Sequence, residues 1–371
     1  MMIIAGFLCV AALFLSVYSY LVFPALMTLL AWMFKNPWEK GDFLPEVTIV
    51  ISAYNEEKDI EAKVNNSLAL DYPEDKLEII VSSDGSTDQT NAIVSRIQDR
   101  RLILKAFTGR LGKTACLNKV IPDATGRIIV FTDANSMFQP DMLRHLVKNF
   151  NDPTIGSVSG WTKYYNPDSG EETTGLYARL EKKTKLDESA VSSCVGADGA
   201  IFAIRKELYV PLGANDINDF IIPLNVVKQG KRVILDRNIF CVEETTRGIK
   251  NIYNRQVRIT TRTAWAIRRN SALLNVSRYG SFSFFLLSHK VLRLLTPFFF
   301  LCALILNIFM APVSFFFTVA LAAQLLFILA GLLAFWGVVN NSLFSICKYF
   351  LITFSAQFVG CLRMVAGVED K

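Results

Sequence analysis

Acidic side chains that could carry chemistry stand directly after short apolar runs in the first half of the chain: Glu56, Asp84 and Asp133. Carboxylates accept hydrogen bonds from a nucleobase or a ribose, and they ligate hard cations such as Mg²⁺ or Mn²⁺. Because the chain has only two histidines, a histidine-rich zinc site and a Ser-His-Asp triad are both disfavoured. The sequence therefore predicts chemistry that rests on carboxylates.

The segments around these acids predict alternating strands and helices. Val47–Ser52 and Leu77–Ser82 are strand-like, and the stretch 57–69 between them has apolar residues at helical spacing. A third strand is expected at Ile128–Phe131, followed by a helix at Pro140–Phe150. This order predicts an α/β fold with a mostly parallel sheet, in which ligands bind at the carboxyl ends of the strands. The three carboxylates should converge there on one crevice.

Two familiar nucleotide motifs do not fit. No GxGxxG follows the first strand, and Gly112-Lys113-Thr114 lacks the earlier glycine of a P-loop, because Phe107 occupies that position. A nucleoside diphosphate sugar with a divalent cation fits better, since Asp133 could hold a metal that bridges the diphosphate oxygens. Structural alternatives stay open for each residue: a turn for Asp84, a helix N-cap for Asp133 and a solvated loop for Lys113.

The composition indicates a membrane protein. Hydrophobic residues make up 52% of the 371 residues and charged residues only 19%, and the segments 1–34 and 294–347 contain no Asp, Glu, Lys or Arg. Apolar runs of about 20 residues can cross a bilayer. A cleaved signal peptide is disfavoured, because no basic region precedes the first run. The four expected spans are Ile3–Phe23, Leu294–Met310, Val313–Trp336 and Leu343–Leu362.

The basic residues predict the side of the membrane. Lys35 and Lys40 follow the first span, and an arginine-rich stretch from Arg255 to Arg293 precedes the second. The positive-inside bias therefore places the central region in the cytoplasm, with membrane lipids as partners. Residues 272–293 mix apolar and basic side chains, as an interfacial helix would. Nucleic acid is not an expected partner, and the seven cysteines imply no disulfide framework.

Five motifs together resemble family 2 of the inverting glycosyltransferases, specifically the membrane-embedded synthases related to cellulose, hyaluronan and poly-N-acetylglucosamine synthases. The motifs occur in the family's order, and each is weak alone. The resemblance implies a cytosolic GT-A (Rossmann-like) domain flanked by transmembrane helices, most consistent with a bacterial inner membrane. The motifs are ISAYNEE (51–57), SDGSTD (83–88), GKTACLN (112–118), VFTDAN (130–135) and GADGAIFAIR (196–205).

The domains expected from this resemblance follow the charge pattern. They are an N-terminal transmembrane segment (1–36), the glycosyltransferase domain (37–270), an interfacial helix (271–293) and a C-terminal transmembrane region of about three spans (294–371).

The resemblance also implies roles for individual residues. Asp219, in an Asn218-Asp219 pair where the family has Glu-Asp, would be the general base that deprotonates the acceptor hydroxyl. The alternative for Asp219 is a helix cap. The donor nucleotide would be bound by Ala53, Glu56, Asp84, Lys113, Asp133, Arg255 and Arg258. The acceptor would be bound near Asp198, Gly199 and Asn218, and the metal, Mg²⁺ or Mn²⁺, by Asp133 and Asn135.

Two positions depart from the family's pattern. Asn135 stands where Asp is commonest in the metal motif, so a neutral amide replaces a charged ligand. The QxxRW motif of processive members reads Arg255-Gln-Val-Arg258-Ile259 here, which retains the arginine but lacks the tryptophan. Arg258 would still stabilise the departing diphosphate. The missing tryptophan weakens the expectation of long-chain processivity.

The expected function is transfer of a sugar from a nucleotide sugar, UDP-linked by expectation, to a glycan or lipid-linked acceptor. Inversion would give a β-linked product in surface or exopolysaccharide synthesis. One alternative is a lipid glycosyltransferase that adds a single sugar. The other is a catalytically inactive membrane subunit that binds nucleotide sugars, motivated by Asn135 and Ile259.

Overall fold

The computed structural model describes residues 2–166, 169, 171–245, 248–339 and 341–368. The chain divides into two compact units. The sheet unit comprises Met27–Thr246 and Asn275–Phe282, and the helical unit comprises Met1–Leu26, Arg247–Leu274 and Ser283–Asp370.

An eight-stranded mixed sheet in the order β3-β2-β1-β4-β7-β6-β8-β5 forms the centre of the sheet unit. Its first four strands in this order are mutually parallel, β6 pairs parallel with β8, and the short strands β7 and β5 run antiparallel to their neighbours. The strands are β1 (Val47–Ala53), β2 (Leu77–Asp84), β3 (Leu102–Phe107), β4 (Ile128–Asp133), β5 (Met137–Phe138), β6 (Ile155–Tyr165), β7 (Phe202–Arg205) and β8 (Arg232–Glu244).

Helices connect most of these strands, and others lie before the first strand and after the last. Helices α1 and α2 are joined by a π-helical turn at Tyr18–Val22, and a second π-helical turn at Leu286–Val291 joins α11 to α12. The helices are α1 (Met2–Val17), α2 (Phe23–Met33), α3 (Ile60–Leu68), α4 (Thr90–Arg96), α5 (Lys113–Val120), α6 (Met142–Val147), α7 (Leu176–Val191), α8 (Asn218–Lys228), α9 (Ile249–Arg269), α10 (Val276–Tyr279), α11 (Ser281–Phe285), α12 (Leu292–Met310), α13 (Phe315–Phe335) and α14 (Ser342–Val365).

The sheet core confirms the predicted α/β fold with a mostly parallel sheet. Strand β1 is apolar almost throughout, and its residues Val47, Ile49, Val50 and Ile51 are at most 1% exposed. Such a continuous apolar run is expected of a central parallel strand that is covered on both faces. Both β2 and β4 continue two residues beyond the predicted strands, so Asp84 and Asp133 are their last residues.

Four helical segments of the described residues are long and apolar enough to cross a membrane. They are Met2–Met33, Ser281–Met310, Phe315–Phe335 and Ser342–Val365, and they contain most of each span expected from the sequence. The second segment includes part of the stretch 272–293, whose position at the membrane surface stays a prediction.

Polar contacts and small residues join the helices within the helical unit. The Cys9 thiol is 3.1 Å from the Asn307 side-chain oxygen, and the Asn307 amide donates to the Gln324 side chain at 2.7 Å. A Cβ placed on Gly360 would lie 2.7 Å from the Thr260 side chain, so α9 and α14 pack closely there. Pairing of polar side chains removes the cost of burying them between apolar helices.

Candidate active site

The parallel register brings the ends of β1, β2 and β4 to one edge of the sheet. Ala53 is paired with Ser83, and Ser52 is paired with Asp133. The loop that follows β1 therefore begins next to Asp133, and the loop that follows β2 begins on the other side of β1, at the carboxyl edge where parallel sheets bind ligands. This edge is the candidate active site.

Asp84 fixes the loop that precedes α5. Its Oδ1 accepts hydrogen bonds from the backbone N–H groups of Leu111 and Gly112 at 2.7 and 3.0 Å, and the Cys116 thiol lies 3.4 Å from the same oxygen. Next to Asp84, Gly85 has φ +69°, and a Cβ there would lie 2.4 Å from the carbonyl oxygen of Gly109. The Asp84-Gly85 pair thus sets the path of the loop leading to Lys113.

Hydrogen bonds also link the loops after β1 and β2 to each other. The Asn55 side-chain oxygen accepts from the Thr87 N–H at 2.8 Å, and the Glu56 N–H donates to the Thr90 hydroxyl at 2.8 Å. Asn55 has φ 56°, a left-handed conformation that asparagine adopts more readily than most residues. These bonds hold the backbone around Glu56 in one conformation.

Glu56 is partly buried among other carboxylates. Burial, followed by the negative charges of Asp59, Asp133 and Asp88, raises the pKa of Glu56 from 4.5 to about 7. A carboxyl group in this environment is protonated over part of the neutral pH range. It can then donate as well as accept a hydrogen bond.

Lys113 and Asp133 form an ion pair at this edge, with Nζ 2.6 Å from Oδ1. Burial lowers the pKa of Lys113, but the nearby carboxylates of Asp133, Asp219 and Glu243 outweigh this effect and raise it. The lysine therefore stays charged. Its positive charge acts on both Asp133 and Asp219.

Asp219, at the start of α8, has an oxygen that is not hydrogen-bonded. Its Oδ1 is buried without a hydrogen-bond partner, while its Oδ2 would lie 2.9 Å from a Cβ placed on Gly199. Burial raises the pKa of Asp219, and the ammonium groups of Lys113 and Lys185 partly oppose this shift. A buried carboxylate oxygen without a donor is rare in folded proteins and often marks a functional site.

The segment opposite Asp219 is held by its own hydrogen bonds. Asp198 accepts from the Thr162 hydroxyl at 2.9 Å and from the Ala200 N–H at 3.1 Å. The buried Lys185 ammonium donates to the Ala197 carbonyl at 3.1 Å, and the Ala197 N–H donates to the Asp219 carbonyl at 2.7 Å. Burial raises the pKa of Asp198, although Lys185 lowers it. This segment therefore lies directly against Asp219.

Asn218 contributes a second buried polar atom without a partner. Its side-chain Nδ2 has no hydrogen-bond acceptor, and the residue is only 6% exposed. An unsatisfied amide next to an unsatisfied carboxylate oxygen is costly unless a ligand satisfies both. The pair marks the start of α8 as a position where a polar ligand would be bound.

A buried lysine that sequence reasoning missed holds the loop after Asp133. Lys63 on α3 is fully buried, donates to the Ser136 carbonyl and lies 3.3 Å from the centre of the Phe138 ring. Asn66, one turn later, both donates to the Phe138 carbonyl and accepts from its N–H. The Ser136 hydroxyl donates to Glu243 at 2.5 Å. The sequence feature that could have identified this role is a lysine placed among the apolar residues of α3.

The oxygen atoms at the predicted metal position are a carboxylate and an amide. Asp133 is partly buried and paired through one oxygen with Lys113, whereas Asn135 is exposed. Within the described parts of the chain, no group of three or more His, Cys, Asp or Glu side chains could hold a metal ion. Any metal bound here would therefore need further ligands from a substrate or water.

The structure brings most of the predicted site residues together in the sheet unit. The last residues of β1, β2 and β4 are Ala53, Asp84 and Asp133; Glu56 follows β1, and Lys113 begins α5. The adjacent cluster consists of Asp198, Gly199, Asn218 and Asp219. Arg255 and Arg258 lie on α9 in the helical unit. Their roles, like those of the other site residues, stay predictions.

Comparison with protein families gives a match to Glycosyl transferase family 2 over residues 48–210. This segment begins in β1 and ends after β7, so it contains Glu56, Asp84, Lys113, Asp133 and Asp198. The match supports a glycosyltransferase domain of this family in the chain.

Among curated proteins, the chain is similar to the poly-β-1,6-N-acetyl-D-glucosamine synthase of Staphylococcus aureus (strain COL), with 28% identity over 226 residues. The alignment covers 58% of this chain and 54% of that protein. It is also similar to the β-monoglucosyldiacylglycerol synthase of Synechocystis sp., with 32% identity over 118 residues, which are 31% of this chain and 25% of that protein. The chain spans about half the length, or less, of these curated relatives.

Among solved structures, the chain is similar to the mannosyltransferase PcManGT from Pyrobaculum calidifontis, determined in complex with GDP-Man and Mn²⁺. The TM-score is 0.74 with 23% sequence identity, and the alignment covers 96% of this chain and 99% of that chain. At this level of identity the similarity establishes the fold, which is the GT-A fold expected from the sequence.

Proposed function

We propose that this chain, which contains a glycosyl transferase family 2 domain at residues 48–210, is an inverting membrane glycosyltransferase with Asp219 as its general base. The donor would be a nucleotide sugar, most simply a UDP-sugar, and the acceptor a hydroxyl of a glycan or lipid-linked molecule. The hexose would be added with inversion to give a β-linked product in surface or exopolysaccharide synthesis.

The observation that carries this proposal is the carboxylate of Asp219. Its Oδ1 is buried without a hydrogen-bond donor, and its Oδ2 faces the position where Gly199 lacks a side chain. An acceptor hydroxyl that reached this carboxylate could donate its proton to Asp219 as its oxygen attacks the anomeric carbon and the diphosphate departs. The raised pKa of Asp219 makes it a stronger base than an ordinary aspartate.

The strand-end loops would bind the donor. Glu56 and Ala53 stand at the end of β1, where the backbone is held by the loop after β2. Asp84 would contact the uridine and also fixes the loop leading to Lys113. The Lys113 ammonium would lie near the diphosphate, where its charge favours the anionic donor. Arg255 and Arg258 would bind the departing diphosphate, as the resemblance implies.

Asp133 and Asn135 fit a hard divalent cation such as Mg²⁺ or Mn²⁺, since both offer oxygen ligands. PcManGT was solved with GDP-Man and Mn²⁺, and its shared fold supports a metal-assisted donor site here. A bound cation would neutralise charge on the diphosphate. Lys113 would orient the Asp133 carboxylate through their ion pair of 2.6 Å.

The acceptor would be a glycan or a lipid-linked molecule. The S. aureus relative is named as a polysaccharide synthase and the Synechocystis relative as a glycolipid synthase. The missing tryptophan at Ile259 favours addition of one or a few sugars over a long processive product. We place the sheet unit on the cytoplasmic side of a bacterial inner membrane, following the basic residues that flank the apolar helices.

Nucleotide release by detergent-purified protein tests this function. The protein would be assayed with a panel of UDP- and GDP-sugars and either Mg²⁺ or Mn²⁺, and the products would be analysed by mass spectrometry. We expect one donor to be used, in a metal-dependent manner. Binding of a donor without turnover across a broad acceptor panel would instead favour the inactive-subunit alternative.

Asp219→Asn should lower turnover by about 10²- to 10⁴-fold, the usual contribution of a general base, while nucleotide binding measured by calorimetry stays near wild type. Because the pKa of Asp219 is raised, the wild-type rate should fall on acidification at a higher pH than an ordinary aspartate would give. Asp123→Asn, on the exposed surface of the same unit, is the matched control. Unchanged turnover in Asp219→Asn would remove this residue as the base.

A further inference from the structure

Strand β6 presents different chemistry on its two faces. Thr162 donates to Asp198 and therefore faces the candidate active site. Its neighbours Trp161 and Lys163 point to the opposite face, because successive side chains of a strand alternate. Cationic side chains from two other elements gather around Trp161 on that face, away from the residues assigned to sugar transfer.

Lys163, Lys182 and Arg237 lie near the aromatic rings of Trp161 and Phe240 on this face. The Lys182 ammonium of α7 lies 3.1 Å from the centre of the Trp161 ring, and the Lys163 ammonium lies 3.7 Å from the centre of the Phe240 ring. The Trp161 indole N–H donates to the backbone carbonyl of Arg237 at 3.0 Å, which fixes Arg237 beside the ring. Among the described residues, none of these three cations forms a salt bridge.

Mutual repulsion among these cations is evident at Lys182. Burial lowers its pKa and the charge of Lys163 lowers it further; Glu172 opposes this shift, and Arg237 adds a smaller lowering effect. Glu172 is the one carboxylate that acts on Lys182 here, and it also pairs with Arg179 at 3.9 Å, so the three cations exceed the negative charge near them among the described residues. An anionic ligand would reduce this repulsion.

Arg237 also lines a cavity of about 440 Å³ within the sheet unit. One wall is the end of α2, with Thr28 and Trp32, followed by Lys35. The carboxylates of the cavity are already paired: Asp236 with Lys40 at 2.5 Å and Asp187 with Lys183 at 2.6 Å. Lys35 and Arg237 consequently remain available to an anion.

The position of this wall indicates the ligand. Helix α2 is the last part of the first candidate membrane segment, Met2–Met33. Trp32 is 75% exposed one turn before Lys35. Tryptophan followed by lysine at the end of a span is typical of the level of the lipid headgroups. A cavity at this level is reached by a lipid more directly than by a soluble metabolite.

We propose that a basic pocket of the sheet unit binds the headgroup of an anionic phospholipid. The pocket consists of the cavity lined by Lys35, Arg237 and the end of α2, and of the neighbouring group of Trp161, Lys163 and Lys182, since Lys182 is close enough to Arg237 for the two charges to interact. The headgroup phosphate would contact Arg237 and Lys182, and Trp32 would contact the glycerol and the first part of the acyl chains. Bound lipid would link α7 and β8 to the end of α2.

Native mass spectrometry of the full chain in detergent can test this pocket. Wild-type protein would be titrated with phosphatidylglycerol, with zwitterionic phosphatidylcholine and with inorganic phosphate. We expect selective retention of phosphatidylglycerol. The double substitution Lys182→Gln/Arg237→Gln should weaken retention by about tenfold or more, the effect of losing two basic residues near an anionic headgroup.

The control is Arg100→Gln/Lys105→Gln, which removes the same charge from exposed positions elsewhere on the sheet unit. The single substitution Lys35→Gln, at an exposed position that cannot prevent folding, should also weaken retention. Equal loss in the control, or undiminished retention in both pocket variants, would overturn the proposal. Displacement of the lipid by millimolar phosphate would overturn its lipid part, because the pocket would then recognise a free anion.

Discussion

The pKa values of carboxyl groups in this protein are shifted in opposite directions because their surroundings differ. Glu56 lies among three other acids, and its pKa rises to about 7. Asp99, on the surface between β2 and β3, accepts bonds from the Arg101 side chain and backbone, and its pKa falls to about 2. Hydrogen bonds to a charged group favour the charged form, whereas burial beside like charges disfavours it.

Glu56→Gln should stabilise the protein at neutral and alkaline pH. A carboxyl whose pKa rises from 4.5 in the unfolded chain to about 7 in the fold binds its proton more tightly when folded, so wild-type stability is lost as pH rises through this range. Glutamine cannot ionise and escapes this loss. Thermal unfolding should show a higher Tm for Glu56→Gln above pH 7 and little difference below about pH 4.5.

Glu61→Gln, on the exposed surface of α3, is the matched control and should show no such trend. If the Tm difference for Glu56→Gln were the same at both ends of the pH range, ionisation of Glu56 would not be its cause.

Lys63→Met should impair the loop that carries Asp133 and Asn135 without unfolding the protein. Methionine fills a similar volume, and burial lowers the pKa of Lys63 to about 7, so replacing this ionisable side chain by an apolar one is expected to be tolerated. The Ser136 carbonyl would lose its donor, however, and the loop would lose the contact that fixes it. If the proposed function holds, the Mn²⁺ concentration for half-maximal activity should rise by about tenfold or more, as for other residues that position metal ligands.

Lys76→Met is the matched control, since Lys76 also donates to a backbone carbonyl, that of Leu44, but at the surface. The measurements are thermal unfolding together with metal-activation curves. A fall in stability with an unchanged activation curve would indicate that Lys63 supports only the fold.

At the level of elements, the site depends on loops that follow parallel strands and are held by few contacts. Asp84 and Gly85 at the end of β2 determine the course of the loop 109–112, because Asp84 binds its N–H groups and Gly85 admits its backbone. Helix α5 begins directly after this loop with Lys113. The position of the Lys113 ammonium is therefore set by the end of a different strand.

Gly85→Ala should cost about 2 kcal/mol or more, because alanine is strained at φ +69° and its Cβ would collide with the Gly109 carbonyl. Gly109→Ala is the matched control, since it has φ +70° but open space around the added Cβ, and it should cost about 1 kcal/mol. Chemical unfolding of the two variants measures the difference. Equal losses would show that backbone conformation alone, and not the close approach, requires glycine at position 85.

At the level of the whole molecule, apolar surface distinguishes the candidate spans from the rest of the chain. Large apolar side chains remain exposed along α13, among them Leu325, Leu326 and Leu329, which are 50% exposed or more. Exposed patches of this kind are rare on soluble proteins and are expected where a helix contacts lipid. The sheet unit instead buries its apolar residues in the core between its layers.

Leu326→Arg should therefore impair membrane insertion, because a charged residue near the middle of a span costs about 3 kcal/mol. Leu176→Arg, at the start of α7, changes an almost equally exposed leucine, with 64% against 65% exposure, and should change stability by less than about 0.5 kcal/mol. The yield of folded protein in the membrane fraction is the measurement. Similar yields for both variants would contradict contact between α13 and lipid.

The sequence by itself determined the fold class and the apolar spans, because both follow from local patterns. Strand runs of β-branched residues and helical spacing between them specify a parallel sheet, and uncharged stretches of about 20 residues specify spans. The parallel topology also implied that Glu56, Asp84 and Asp133 meet at one edge, as the strand register shows.

Only the tertiary structure decided what each site residue contacts. Three contacts join residues that are distant in sequence: the ion pair of Lys113 with Asp133, the hydrogen bond of Lys63 to the Ser136 carbonyl and the close approach of the Asp219 carboxylate to Gly199. A lysine on an apolar helix face or a glycine in a loop has no local pattern that names its partner. Burial and electrostatic environment arise only when the chain packs. They set the pKa values of the site residues and leave hydrogen-bonding atoms such as Asp219 Oδ1 without a partner.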